Sequence, residues 1–391
     1  MVVDRKWAIQ NLGFDPIATP APESSFAVPE AAVAGASNED LQREIIDFDS
    51  EGPEGAAFFA FSTATGLSRF TEIPWPRGLA PKIGPKPRGR SGNPLPKADV
   101  LVVTWTVDEG HALSRVLTPG KDSRNDYVPY THNFAKLAET MSKGSPAVKS
   151  KRLGAYWTTT IGSTKAVIFK SESHLSQDTN KKLPSGNASL PNADVWKQII
   201  SEVRPKLVIT TGTAGGIGKE YEVGDVVVSR IVRFDCTKWL KREPFHDQSF
   251  TDSASPSAGY LVTAKKLFKA NAGQLPKTNT RAPRIVRSSG ASTSVVTTDF
   301  FGFDTSNNRY KLQGLGAVSE MGDAVLGLVT AQIGNAAPRW VAVRNVSDPQ
   351  IKAEGTDSQQ AQLAGQIYKA FGRWSTVCSA IVCWALIAAE K

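Results

Sequence analysis

From Ala98 onward the chain consists of short, nearly unbroken apolar runs separated by helix-length stretches, and few folds accept that alternation. The runs are 99–106 (DVLVVTWT), 154–161, 165–170, 206–211 (KLVITT), 223–231 (VGDVVVSRI), 294–298 and 340–346 (WVAVRNV). They are rich in Val, Ile and Thr and do not alternate apolar with polar, so both faces of each strand are buried. Helical patterns follow the first run (DEGHALSRVL) and recur near 193–203, 319–334 and 358–388. Buried strands alternating with helices predict an α/β domain over 98–391 with a mixed, largely parallel central sheet. No internal repeat is visible.

The first 97 residues read differently. Pro, Ala, Gly and Ser dominate 16–38, and 73–96 (IPWPRGLAPKIGPKPRGRSGNPLP) alternates Pro with Gly and bases. Proline lacks an amide hydrogen and glycine resists ordering, so this stretch holds neither a helix nor an inner strand. It reads as a linker or an arm lying on the body, with a short helix at 39–48 and a short strand at 56–62.

Charge divides the chain the same way. Residues 1–60 carry eleven acids against three bases, and the remainder 43 bases against 26 acids. A basic body favours an anionic partner, and a phosphorylated small molecule is one such class. No long Lys/Arg tract is interleaved with aromatics, so no nucleic-acid partner is expected. Three scattered cysteines (Cys236, Cys378, Cys383) fit neither a disulfide framework nor paired zinc spacings. No metal and no cofactor is implied. The first residues lack an apolar signal core. The longest apolar run, 375–389, is short for a bilayer span and reads as a buried terminal helix. A cytoplasmic protein without a membrane partner is expected.

The most distinctive segment is 207–229, LVITTGTAGGIGKEYEVGDVVVS. A strand runs into Gly212-Thr213-Ala214-Gly215-Gly216, and glycines there let a ligand approach the backbone and its amides. The spacing fits neither a phosphate-cradling P-loop nor G-x-G-x-x-G: five residues separate Gly212 from Gly218, and Glu220 stands where Ser or Thr is required.

In order, LVITTGTAGGI…VGDVVVS, VSEMGDAV at 318–325 and VAVRNVSD at 341–348 resemble the nucleoside phosphorylase and nucleosidase superfamily. The flavour is nearest to the methylthioadenosine/S-adenosylhomocysteine nucleosidases. The resemblance covers about 98–387 and implies a three-layer α/β/α phosphorylase/nucleosidase-like fold, a small-molecule purine nucleoside or nucleotide as partner, and a homo-oligomer.

It also implies roles. Asp348 matches the acid that protonates the purine at N7, although an Asp before Pro349 also suits a turn. Arg344, four residues earlier, matches an arginine near the ribose and nucleophile. Glu109 falls where nucleosidases place the glutamate that activates water, with Asp108 and His111 as neighbouring candidates and helix capping by Asp108 as the plain alternative. Phe301 matches the base-stacking position, and Met321 packs on the ribose. The family's second ribose-gripping glutamate is replaced by Gly322, so either Glu320 or Asp323 takes over, or the sugar is held differently. Gly212, Thr213, Ala214 and Gly215 line the pocket by the same resemblance. Phosphorylases tend to carry an arginine at the position of Thr210, which favours water over phosphate here. Lys170, Ser171, Ser173 and His174 are the alternative phosphate binders. The expected reaction is hydrolysis of a purine N-glycosidic bond. The alternatives are phosphorolysis, and a degenerate fold that senses nucleotides or assembles without turnover.

Overall fold

A computed structural model describes residues 1–12, 72–87, 92–175, 190–288 and 290–390. The helix expected at 39–48 and the strand expected at 56–62 lie outside these residues.

Nine strands build the body: β1 (Val100–Thr104), β2 (Gly154–Ile161), β3 (Thr164–Ser171), β4 (Leu207–Gly216), β5 (Val226–Ser229), β6 (Ile231–Asp235), β7 (Val295–Thr298), β8 (Val318–Glu320) and β9 (Arg339–Asp348). Five helices cover them: α1 (Val107–Leu117), α2 (Pro191–Val203), α3 (Ala258–Leu267), α4 (Asp323–Ile333) and α5 (Asp357–Ala389). Short edge strands complete a single mixed sheet. Its heart is parallel, with β3, β1, β4 and β9 side by side in that order. A second parallel group, β6, β7 and β8, joins through an antiparallel pairing of β8 with the end of β4.

The two-residue period of the strands sorts the core into two layers. Val100, Val102, Ile209, Val341 and Val343 face one cluster with α1, α3 and α5. Leu101, Val103, Val208, Trp340 and Ala342 face the other with α2 and α4. The three-layer α/β/α arrangement is therefore written residue by residue in VLVVT and WVAVRNV. Each fully buried Val, Leu or Ile in these layers contributes about 1.5–3 kcal/mol.

Helix α5 opens with a capping box between Thr356 and Gln359 and packs against α1, β4 and β9. Its length and composition would suit a bilayer, but 89% of its most apolar window is buried inside the fold. Several boundaries differ from the sequence reading; the run 206–211 continues as strand to Gly216. The run 223–231 is two strands broken at Arg230, and the helix expected from 319 begins at Asp323, because 318–320 pair with β7 and β4.

Pieces of the first 97 residues pack on this body. Trp75 stacks on Trp384 of α5 at 4.9 Å, and Trp384 Nε1 donates to the Leu79 carbonyl at 2.7 Å. Lys82 and Ile83 pair with Thr160 and Thr159 of β2. The short helix Arg5–Leu12 buries Trp7 and Ala8 against α5.

Candidate active site

One edge of β4 changes partner along its length. Residues 207–210 pair with β1, and Gly215 and Gly216 pair with β8, while β9 occupies the opposite edge throughout. Between the two neighbours the sheet opens, and a partly open pocket forms there. Trp105, Glu109, His174, Thr213, Gly215, Phe301, Met321, Glu320, Arg344, Asp348 and Tyr368 are among its walls.

Glu109 takes the place of a strand at this gap. Its Oε1 accepts from the Thr213 amide at 2.7 Å and the Thr213 hydroxyl at 2.8 Å. Its Oε2 accepts from Thr104 Oγ1 at 2.9 Å and the amides of Trp105 and Thr106 at 3.0 Å each. The cap of α1 is Thr106, not Asp108, and Glu109 is the reciprocal member of its capping box. Burial pushes the Glu109 carboxyl up, but the Arg344 charge and the Thr106 and Thr213 bonds outweigh it and hold the pKa below the ordinary value. Glycine is required at 212. Its φ is +153°, and a Cβ would overlap Glu109 Oε1 and lie 2.8 Å from Arg344 Nη1.

Asp348 is the counterpart. It ends β9 beside Gly215, where an added Cβ would lie 2.9 Å from Asp348 Oδ2. Three residues at about 3.3 Å each put the Gly212 and Gly215 positions about 10 Å apart along β4. Burial pushes the Asp348 carboxyl up to about 7, against the opposing hydrogen bond from Ser347 Oγ at 2.7 Å. The pocket thus holds one carboxyl kept ionised and another kept protonated toward neutral pH.

Arg344 is itself part of the pocket wall. Its Nε donates to Asp323 Oδ2 at 2.8 Å and its Nη2 to Asp323 Oδ1 at 2.5 Å, with Glu320 Oε2 at 3.1 Å from Nη2. Nη1 donates to the Thr213 carbonyl at 3.3 Å, and the guanidinium sits 4.9 Å from the centre of the Trp105 ring. Asp323 is committed to this pair and is not among the pocket-lining residues, whereas Glu320 is. Burial, then the Asp323 charge, pushes the Glu320 carboxyl up to about 7. Thr297 Oγ1 and the Asp323 amide donate to it.

The other candidates divide. Thr213, Ala214, Gly215, Phe301, Met321 and His174 line the pocket, and Gly212 lies beneath Glu109. Burial, then Lys170, pushes the His174 imidazole down to about 4, so it is neutral at physiological pH. Lys170 is buried in a pair with Glu172 at 2.5 Å, which Arg152 also binds at 2.8 Å. Of Lys170, Ser171, Ser173 and His174, only His174 lines the pocket. Thr210 is fully buried in the sheet and away from the walls. Sequence reasoning passed over Tyr368, whose hydroxyl donates to Thr106 Oγ1 at 3.3 Å across the α1–α5 packing. Its only sequence signal is a lone tyrosine in an apolar helix. Among the described residues no group of three or more His, Cys, Asp or Glu could hold a metal ion.

No curated protein matches the sequence. Solved structures of similar arrangement include the Neisseria meningitidis 5′-methylthioadenosine/S-adenosylhomocysteine nucleosidase bound to methylthio-immucillin-A (18% identity, 74% of this chain, 99% of that one, TM-score 0.42). They also include the Streptococcus pyogenes S-adenosylhomocysteine nucleosidase with 5-methylthiotubericidin (13%, 76% and 99%, TM-score 0.45) and the futalosine hydrolase of Helicobacter pylori (13%, 73% and 96%, TM-score 0.43). The phosphorylase superfamily profile matches residues 128–387, about two thirds of the chain and most of the sheet just described. The chain belongs to the phosphorylase superfamily.

Proposed function

We propose that the protein hydrolyses the N-glycosidic bond of a purine nucleoside, releasing free base and sugar. The observation that carries this reading is the pair of carboxyls in one pocket whose environments drive them apart, Asp348 up to about 7 and Glu109 downward. Opposed shifts of this kind assign an acid and a base. Asp348 donates its proton to the purine at N7 as the bond from C1′ to the base nitrogen breaks, so the electron pair leaves on a neutral base. A water oxygen bonds to C1′, and Glu109 orients that water and receives its proton as it becomes the new hydroxyl. The fixed negative charge of Glu109 also stabilises the cationic character that the sugar develops. Arg344 keeps Glu109 ionised, and Phe301 offers a face to the base.

Water rather than phosphate is favoured by the charge inventory. Arg344 is the only Lys or Arg among the described lining residues. Three of its five N–H groups are already spent on Asp323 and the Thr213 carbonyl, and Glu320 pairs with its charge. A phosphate dianion would meet the ionised Glu109 with little positive charge to offset it. Among the described residues the same inventory favours an uncharged nucleoside over a nucleotide.

A second reading, ligand binding without turnover, draws on Gly322. A Cβ there would meet the Trp105 ring at 3.5 Å, so an indole occupies that wall instead of a carboxylate. Chromatography of reactions with a panel of purine nucleosides separates the two: base release supports hydrolysis, and saturable binding without release supports the second.

A further inference from the structure

Three segments distant in sequence contribute walls to the pocket, around Asp348, Phe301 and Tyr368; residues near the start of the chain pack beside the first and the last, and reach the second through Ile351. The Val3 amide donates to the Gln350 carbonyl, and the Lys352 amide donates to the Val3 carbonyl, both at 2.8 Å. On the other side of the same segment, the Ile351 amide donates to the Asp304 carbonyl and the Ser306 amide to the Ile351 carbonyl, again at 2.8 Å. Val3, Ile351 and Thr305 thus form a small parallel ladder with Ile351 in the middle. Gln350 lies two residues after Asp348, and Asp304 two residues after Gly302 of the pocket wall. Asp304 is itself a brace: its carboxylate accepts from Gln350 Nε2 at 2.6 Å and the Gly218 amide at 2.8 Å. The third contact is through Trp7, whose ring lies 6.1 Å from Phe371 on α5. Phe371 is three residues from Tyr368, on the same face of that helix.

Val3 is fully buried and Trp7 nearly so, so this is a packed contact and not a surface graze. Asp4 Oδ1 accepts from the Trp7 amide at 2.9 Å and fixes the turn between the bridge and the helix. From this geometry we infer that residues 3–7 form a positioning strap that sets Asp348, the Phe301 segment and Tyr368 relative to one another across the pocket. The strap touches no substrate. It acts through the backbone ladder, in which Ile351 is shared by the strap and the base-side loop, and losing one rail loosens the other. The inference rests on the nucleosidase reading for what the pocket does, but not for the strap's effect on pocket order.

The test uses the full chain. Val3→Pro removes the amide that holds Gln350, whereas Val3→Ala keeps both backbone bonds and serves as the conservative control. Trp7→Ala loosens the strap at its other end, should Val3→Pro not fold. Hydrogen–deuterium exchange is followed at 301–306 and 350–352, with adenine affinity by calorimetry and kcat and KM for base release. The strap predicts at least tenfold faster exchange in both segments for Val3→Pro or Trp7→Ala. It also predicts at least fivefold weaker adenine binding and a matching rise in KM, with Val3→Ala close to the unaltered protein. Faster exchange confined to residues 1–12, with adenine affinity within twofold of the unaltered protein, overturns it. Absence of base release from the unaltered protein would defeat the nucleosidase reading alone, because exchange and adenine affinity still judge the strap.

Discussion

Asp323 grips Arg344 through two parallel hydrogen bonds, Nε to Oδ2 at 2.8 Å and Nη2 to Oδ1 at 2.5 Å, with both residues almost wholly buried. This pair decides what the guanidinium is able to do. Its charge holds Glu109 ionised, but its hydrogen-bonding capacity is largely used before any ligand arrives.

Removing one member of the pair strands the other in a buried site, which typically costs about 3–5 kcal/mol. Asp323→Ala is therefore expected to lower the urea midpoint and to reduce kcat by at least tenfold. Arg344→Met removes the charge that counters burial at Glu109, so the Glu109 pKa rises. Urea denaturation with parallel rate measurements checks both.

Glu109→Gln places an amide NH2 among donors. The Thr213, Trp105 and Thr106 amides lose an ionised acceptor, and a lost buried partner costs about 1–3 kcal/mol. Base release is expected to drop at least a hundredfold, and thermal denaturation to show a lower Tm.

Gly212→Ala meets two obstacles at once, a φ of +153° and the Glu109 carboxylate. A non-glycine residue in that region costs on the order of 1–3 kcal/mol. The variant is expected to lose both stability and activity, whereas Gly259→Ala, with open space around its Cβ, should be neutral in both.

The pH dependence has a definite sign. Asp348 and Glu320 are raised to about 7, so the native state keeps protons that the unfolded chain releases in the ordinary carboxyl range. Their contribution to stability is full below that range and falls as pH rises through about 7. Glu109, Glu172 and Asp122 are lowered, and the stability they add is lost as pH falls through their native values. Denaturation midpoints should be higher at pH 5.5 than at pH 8, and Asp348→Asn should flatten that slope. Because Asp348 must carry its proton to act, kcat/KM should also decline above about pH 7.

The layers of the fold were legible because doubly buried parallel strands leave continuous apolar runs, as in VLVVT, KLVITT and WVAVRNV. The glycines at 212 and 215 were legible as places of close approach, filled here by the Glu109 and Asp348 carboxylates, but they lie within β4 and not in a turn after it. Less visible was how the acids are used. That Asp323 pairs with Arg344 while Glu320 lines the pocket depends on where β8 ends and α4 begins, a boundary that SEMGDAV does not mark. The Lys170–Glu172–Arg152 cluster was hidden because a buried ion pair and a phosphate-binding lysine look alike in KSESH. Val3 and Ile351 are joined by backbone bonds alone, which leave no residue signature at a separation of almost the whole chain.

The most direct measurement is chromatographic detection of free purine base from a nucleoside panel, with and without inorganic phosphate, beside Asp348→Asn. The account predicts release that is independent of phosphate, yields free sugar rather than sugar phosphate, and is lost in Asp348→Asn. Release that requires phosphate, or that survives in Asp348→Asn, would contradict it.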